Sequence, residues 1–209
     1  MKKDHINQIF DIFFTAEPEP KTELVAPNEF TLLVAIVLSA QSTDVGVNKA
    51  TLALFKVADT PQKMISLGED NLKNYIKTIG LFNSKAKNVI GLSKLLIEKK
   101  GIIPNTREEL QELPGVGRKT ANVFLNCARG ELTMGVDTHV QRVSNRIGLV
   151  KSKNPLQTEK QLLANIPNEW KLHAHHWLIL HGRYICKARR PNCNKCKIEQ
   201  YCKYKDKIL

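Results

Sequence analysis

Apolar residues recur at helical spacing along most of the chain. Between Ile6 and Phe14 they fall three or four positions apart, which predicts a helix over 3–14 with one buried stripe. The segment 30–39 is apolar on all sides, so periodicity alone allows a strand or a buried helix, and its length favours a helix. Further helices are predicted at 61–67, 69–78, 84–99, 107–113, 118–128, 138–147, 156–164 and 169–181. Because no hairpin signal with alternating flanks occurs, the pattern predicts an all-α protein.

Length and charge narrow the class of protein. The 209 residues suffice for one large domain or two small ones. The chain has 32 Lys and Arg against 20 Asp and Glu, a net charge of +12, which fits binding to nucleic acid, binding to an anionic membrane surface, or a solvated basic face. Aromatic residues make up only 6% and do not alternate with basic ones, so a protein that contacts duplex phosphates is favoured over a single-strand stacking platform.

No segment predicts a membrane or a secretory protein. The longest apolar stretch, 30–40, is well short of the roughly 20 residues that cross a bilayer. The amino-terminal residues carry Asp4 and Asp11 and no small-residue cleavage site, unlike a signal peptide. We therefore expect a cytoplasmic protein, in which cysteines serve better as metal ligands than as disulfide partners.

A glycine turn between two predicted helices is a candidate anion site. Thr106 and Glu109 form a capping-box signature at the start of the first helix, and Pro114 is predicted to end it. Gly115 and Gly117 allow positive φ and bare backbone N–H groups at the start of the next helix, where the helix dipole attracts a phosphate oxygen. An ordinary corner between helices is the alternative, and the Arg118-Lys119 pair that follows favours phosphate binding.

Lys119 lies in the first turn of that second helix, where a cation is electrostatically disfavoured. One interpretation is that the dipole, Arg118 and partial burial destabilise the ammonium form and free the amine as a nucleophile. The other is that Lys119 only contacts a phosphate. The residues alone leave both open.

Asp137 also has two interpretations. It precedes the amphipathic helix predicted at 138–147, and aspartate is a preferred N-cap residue. Alternatively, its carboxylate stabilises positive charge that develops on a sugar ring beside Lys119 and relays protons.

Four of the five cysteines lie within a short carboxyl-terminal segment, at Cys186, Cys193, Cys196 and Cys202. The spacing C-x6-C-x2-C-x5-C suits either structural zinc or a 4Fe-4S cluster, and spacing alone does not choose. The basic residues around them would offset an anionic cluster and contact DNA backbone. They are Lys187, Arg189, Arg190, Lys195, Lys197 and Lys203.

Six segments together resemble the endonuclease III family of bifunctional DNA glycosylases, in the helix-hairpin-helix superfamily. They are LSAQSTD at 38–44, IKTIGLFNSKA at 76–86, LPGVGRKTANV at 113–123, VDTHV at 136–140, HHWLILHGRYIC at 175–186 and the four spaced cysteines. The resemblance covers essentially the whole chain. It implies an all-α fold of two lobes with the active site in the groove between them. A helical barrel domain would span 22–132, with the helix-hairpin-helix at about 107–128, and a cluster domain would combine 1–21 with 133–209.

The resemblance also implies roles for individual residues. Lys119 would be the catalytic amine and Asp137 the catalytic carboxylate, and the four cysteines would hold a 4Fe-4S cluster in a loop over 186–202. Gln41 and Leu81 would enter the duplex and fill the gap left by an extruded nucleotide. Further DNA contacts are expected at Gly115, Val116, Gly117, Arg118, His139, Lys187, Arg189 and Arg190.

The activity that the resemblance implies is base-excision repair. The enzyme would remove oxidised pyrimidines from duplex DNA through a lysine imine, and β-elimination would nick the strand 3′ to the abasic site. Its partner would be double-stranded DNA with oxidised pyrimidines or abasic sites, bound by a monomer. The residues themselves leave two other classes open: a non-catalytic DNA-binding module and a zinc-stabilised interaction protein.

Overall fold

A computed structural model describes all residues from Met1 to Leu209, and the chain is entirely helical. Eleven α-helices and two short 3-10 helices at Cys193–Lys195 and Glu199–Tyr201 are joined by loops, with no strand. The α-helices are α1 Lys3–Ala16, α2 Glu29–Leu38, α3 Asp44–Val57, α4 Pro61–Leu67, α5 Glu69–Ile76, α6 Phe82–Glu98, α7 Arg107–Leu110, α8 Arg118–Arg129, α9 Thr138–Ile147, α10 Pro155–Asn165 and α11 Asn168–Tyr184. The prediction of an all-α protein is confirmed.

The chain divides into two compact units, each with its own apolar core. Thr22–Arg129 forms one, which we call the hairpin unit. Met1–Lys21 and Gly130–Leu209 together form the other, which we call the cysteine unit. The two ends of the chain therefore belong to the same unit.

Helix α2 is the centre of the hairpin unit. Asn28 and Thr31 form a capping box at its start: the Thr31 N–H donates to Asn28 Oδ1, and the Asn28 N–H donates to Thr31 Oγ1, both at 2.9 Å. Eight of its ten residues are buried, because other helices of the unit cover it on all sides. The choice of a helix over a strand for this apolar segment is confirmed.

Helices α5, α6 and α8 differ from the prediction by one or two residues at an end, and two other elements of the hairpin unit differ more. Helix α3 was not predicted, although Thr43 caps it by accepting from the Gly46 N–H at 3.1 Å. Helix α7 has four residues and ends at Leu110, whereas the pattern predicts a helix to position 113. The chain continues instead in tight turns, with the Leu113 N–H donating to Leu110 O at 3.1 Å. Pro114 therefore does not end the helix.

Aromatic packing holds α1 to α11 in the cysteine unit. Phe10 is fully buried, with its ring centroid 6.0 Å from that of Trp177 and 6.5 Å from that of Trp170. The Trp177 indole N–H donates to Glu17 O at 2.8 Å, which fixes the end of α1. No helix of the chain is long and apolar enough to span a bilayer.

Candidate functional site

The hairpin turn, residues 111–117, joins α7 to α8 in the hairpin unit. Thr106 caps α7 as predicted, with Oγ1 accepting from the Glu109 N–H at 3.3 Å. Leu113 and Val116 are buried, and the Val116 N–H donates to Leu113 O at 3.0 Å. The turn is thus anchored by its apolar residues while its glycines stay at the surface.

The two glycines of the turn differ in backbone conformation and in the space around them. Gly115 has a φ of +80°, and a Cβ there would lie 2.9 Å from Asn88 Cβ and 3.0 Å from Val37 Cγ1. Gly117 does not adopt positive φ, which corrects the prediction for that residue, and a Cβ there would meet no atom within 4 Å. Gly115 is therefore required by the fold, whereas Gly117 keeps the backbone at the start of α8 open to an approaching group.

Lys119 is exposed in the first turn of α8, and Arg118 before it is half-buried. The first backbone hydrogen bond of the helix runs from the Ala121 N–H to Gly117 O at 2.9 Å. The N–H groups of residues 118–120 therefore precede the first N–H that bonds within the helix. Partial burial of Lys119, one of the premises of the nucleophile interpretation, is wrong.

Gln41 and Leu81, predicted to enter a duplex, share an unusual backbone conformation. Their φ angles are +54° and +58°, in the left-handed region that side chains other than glycine disfavour. Both residues are exposed, and Leu81 has 58% of its surface accessible. Their loops lie side by side, because a Cβ on Gly80 would be 3.8 Å from Gln41 O. Strained, exposed residues of this kind concentrate at functional sites.

One face of α6 lies behind these loops and the hairpin turn. Leu81 is its N-cap, and Lys85 and Asn88 follow at spacings of four and three, which places all three on one side of the helix. Lys85 Nζ donates to Ser42 Oγ at 2.8 Å, and Asn88 packs under Gly115. Sequence analysis assigned a role to neither residue, although Lys85 lies within the segment 76–86 that carries the family resemblance.

Asp137 is the N-cap of α9 in the cysteine unit. Its Oδ1 accepts from the His139 and Val140 N–H groups, both at 2.8 Å. The capping interpretation is therefore correct as structure. Because both bonds use the same oxygen, capping leaves Oδ2 for another partner. The His139 ring, half-buried on the first turn, has Nδ1 3.3 Å from Arg142 Nη2.

Two arginines on α9 bind the start of the cysteine segment. Arg142 Nη2 donates to Gly182 O at 2.9 Å, and its Nε donates to Cys186 O at 3.1 Å. One turn later, Arg146 donates to Lys187 O at 2.7 Å and to Ala188 O at 3.0 Å. Burial lowers the pKa of Arg142 from its ordinary value. Sequence analysis did not single out these residues, because arginines spaced four apart are typical of exposed helical faces.

The four carboxyl-terminal cysteines line one pocket. Ile147, Pro191 and Ile198 are among its apolar walls. Arg146 Nη1 donates to Cys186 Sγ at 3.6 Å, and His181 Nε2 lies 3.7 Å from Cys196 Sγ. No group of three or more His, Cys, Asp or Glu side chains in the chain is arranged to hold a metal ion.

The pocket disfavours bare thiolates. Burial, with a smaller contribution from the other three sulfurs, raises the pKa of Cys196 to about 11, and burial also raises the pKa of Cys202. A group with positive charge is needed to deprotonate several such thiols together. The six basic side chains named for this region are all exposed. They therefore add positive potential around the pocket without filling it.

Comparison with known proteins identifies the class. Residues 34–168 match the family model described as HhH-GPD superfamily base excision DNA repair protein. The chain is 59% identical to endonuclease III of Rickettsia felis over 205 residues, covering 98% of this chain and 96% of the relative. It is 54% identical to endonuclease III of Escherichia coli over 192 residues, covering 91% of each.

Solved structures agree with the sequence relatives. A trapped endonuclease III–DNA covalent intermediate superposes with a TM-score of 0.89 at 43% identity, over 97% of this chain and 96% of that one. A thermostable thymine-DNA glycosylase, 23% identical, shares the fold with a TM-score of 0.82. Fold and comparisons define a helix-hairpin-helix protein of base excision DNA repair.

The chain belongs to the endonuclease III family within this superfamily. It is a DNA glycosylase with AP lyase activity. The resemblance stated from the sequence is confirmed, and so are the fold class and the type of enzyme.

Proposed function

We propose that Lys119 and Asp137 carry out the reaction, on an oxidised pyrimidine that has left the duplex. The observation that supports this most directly is the position of Lys119: an exposed amine in the first turn of α8, beside a glycine whose missing side chain leaves the backbone open. An enzyme that both removes a base and cleaves at the abasic site needs an amine of this kind.

The chemistry proceeds in two stages. Lys119 Nζ, in its neutral form, attacks the anomeric carbon of deoxyribose, and the bond to the base breaks with its electron pair leaving on the base. Asp137 stabilises the positive charge on the sugar ring and takes up the amine proton on Oδ2. The ring then opens to an imine that links Lys119 to the sugar.

Strand cleavage follows from the imine. It withdraws electrons from the neighbouring carbon, which loses a proton, and the bond between C3′ and its phosphate oxygen breaks. Hydrolysis of the imine releases the unsaturated aldehyde and frees Lys119. The step is an elimination and consumes neither an oxidant nor a reductant.

Duplex binding involves both units. The backbone amides around Gly115, Val116, Gly117 and Arg118 hold a phosphate at the start of α8. Gln41 and Leu81 fill the space that the extruded nucleotide leaves, one with a polar and the other with an apolar side chain. His139, Lys187, Arg189 and Arg190 supply further contacts to the DNA backbone. The substrate is duplex DNA that contains an oxidised pyrimidine or an abasic site, bound by a monomer in the cytoplasm.

A 4Fe-4S cluster on Cys186, Cys193, Cys196 and Cys202 completes the proposal. Four cysteines that line one apolar pocket offer the four thiolates that a 4Fe-4S cluster takes, and the family resemblance favours the cluster over zinc. The cluster would act as a structural crosslink within a cluster domain of residues 1–21 and 133–209, and residues 22–132 would form a helical barrel domain. Iron and sulfide analysis of anaerobically purified protein tests this: about four irons per chain are expected, and one zinc would contradict it.

Borohydride trapping tests the role of Lys119. Reduction of the imine should join the native protein covalently to DNA that contains an abasic site, whereas Lys119→Ala should give no adduct. Lys56→Ala removes an exposed lysine on α3 and is the matched control, which should trap like the native protein. An adduct of native yield with Lys119→Ala would show that the nucleophile is another residue. DNA affinity of Lys119→Ala, measured separately, distinguishes loss of chemistry from loss of binding.

A further inference from the structure

Lys85 is a buried cation without an acidic partner. Only 4% of its surface is accessible, and its Nζ donates to Ser42 Oγ at 2.8 Å. Lys85 takes part in no ion pair of the structure. Burial lowers its pKa from the ordinary value. Because an uncompensated buried charge destabilises a fold, an apolar side chain such as Met would fill this space at lower cost.

The position of Lys85 explains what its amine contributes. Its backbone N–H donates to Leu81 O at 3.0 Å, in the first turn of α6. Its side chain reaches the other loop, at the residue that follows Gln41. Lys85 is thus bonded to both segments that carry the residues assigned to the duplex gap.

Both of those residues need support from their surroundings. Gln41 and Leu81 hold left-handed backbone conformations, which side chains other than glycine disfavour. The Gln41 loop, residues 39–43, has one internal turn bond, from the Ser42 N–H to Ser39 O at 3.0 Å. The hydrogen bond from Lys85 Nζ to Ser42 Oγ links this loop to α6 through side chains.

We propose that Lys85 is a positioning residue that sets the separation of Gln41 and Leu81, so that both side chains enter the duplex together. This inference rests on the proposed function, in which these two residues fill the gap. The amine acts through Ser42 Oγ and does not touch the reacting atoms. A variant without the amine retains the packing of α6 and loses the fixed separation of the Gln41 and Leu81 loops.

The test compares single-turnover excision of an oxidised pyrimidine by Lys85→Met, Gln41→Ala and the double variant. Lys85→Met keeps the apolar stem and should slow excision about ten- to a hundredfold, because small misplacements of positioning groups have effects of that size. Its melting temperature should not fall. If Lys85 acts through Gln41, the double variant should be no slower than the slower single variant.

Two variants of Ser42 keep the test independent of the folding of Lys85→Met. Ser42→Ala removes the acceptor from a half-buried loop position and should slow excision in the same direction. Ser42→Thr retains the hydroxyl and should excise the base at close to the native rate. A merely structural role would lower stability without this dependence on the hydroxyl.

The outcomes separate the inference from the proposed function. Native excision rates for Lys85→Met, or effects of Lys85→Met and Gln41→Ala that multiply in the double variant, would overturn the role of Lys85 alone. Native rates for both Gln41→Ala and Leu81→Ala would overturn the gap-filling function and the inference with it.

Discussion

The hairpin unit and the cysteine unit fix their functional residues by different means. In the hairpin unit, the turn and both strained loops rest on helices of a continuous apolar core, and a single face of α6 supports all three. In the cysteine unit, the segment from Cys186 to Cys202 has two single-turn helices and is bound through arginine contacts to its carbonyl groups. The first unit supports its loops with its own side chains, whereas in the second the four cysteines line a pocket at which we propose a bound cluster.

Loss of one cysteine should therefore affect one unit and spare the other. In Cys196→Ala we expect loss of the proposed cluster and destabilisation of the cysteine unit by about 4 kcal/mol or more, since binding of a structural metal group is coupled to folding. Hydrogen exchange should rise across 186–203 and remain native in α2 and α6. Cys127→Ala changes a cysteine of the hairpin unit and is the control, which should retain full iron content. Native iron content in Cys196→Ala would show that this thiol is not a ligand.

The two glycines of the hairpin turn should separate folding from binding. Gly115→Ala should destabilise the protein by about 2 kcal/mol or more, because positive φ and contact with Asn88 both oppose a Cβ. Gly117→Val should change the free energy of unfolding by less than about 1 kcal/mol. It should nevertheless weaken binding of damaged and intact duplex alike, by about tenfold, because its side chain occupies the approach to the α8 amides.

Denaturant unfolding and DNA titration of both glycine variants check this pair. Native DNA affinity in Gly117→Val would contradict phosphate binding by the turn. Native stability in Gly115→Ala would contradict the argument that the core dictates this glycine.

Asp137 provides the smallest expected change in stability and a sharp test of its two roles. Asparagine caps helices as well as aspartate, so Asp137→Asn should retain stability within about 0.5 kcal/mol, whereas Asp137→Ala should lose about 1 kcal/mol. Base excision should fall about a hundredfold or more in both, since both lack the carboxylate. Excision at the native rate by Asp137→Asn would reduce Asp137 to a capping residue.

Much of the fold was predictable because the apolar pattern and the core coincide. Helix α9 combines Asp137 as cap with a buried row at Val140, Val143 and Ile147, and its bounds were predicted to the residue. Helix α3 was not, because exposed Val45 and Leu52 blur its stripe. Hydrophobic periodicity reveals a helix only when its apolar residues lie on the buried face. A helix that also has apolar residues on its solvent face is therefore not detected.

The candidate site was predictable where its chemistry needs a motif. The glycine turn with its lysine and the four cysteines were found from residue type and spacing. Gln41 and Leu81 came from the resemblance, since nothing local in the sequence indicates a left-handed backbone. The role proposed for Lys85 was not predictable, because it depends on a contact with Ser42, which is 43 positions away in the sequence.

The shared face of α6 has a consequence for how this sequence can change over time. Each residue added to a helix turns everything after it by about 100°, so one extra residue between Leu81 and Asn88 would aim the two ends of that row in different directions. We therefore expect an insertion or deletion in this stretch to impair the protein more than a substitution of an outward side chain.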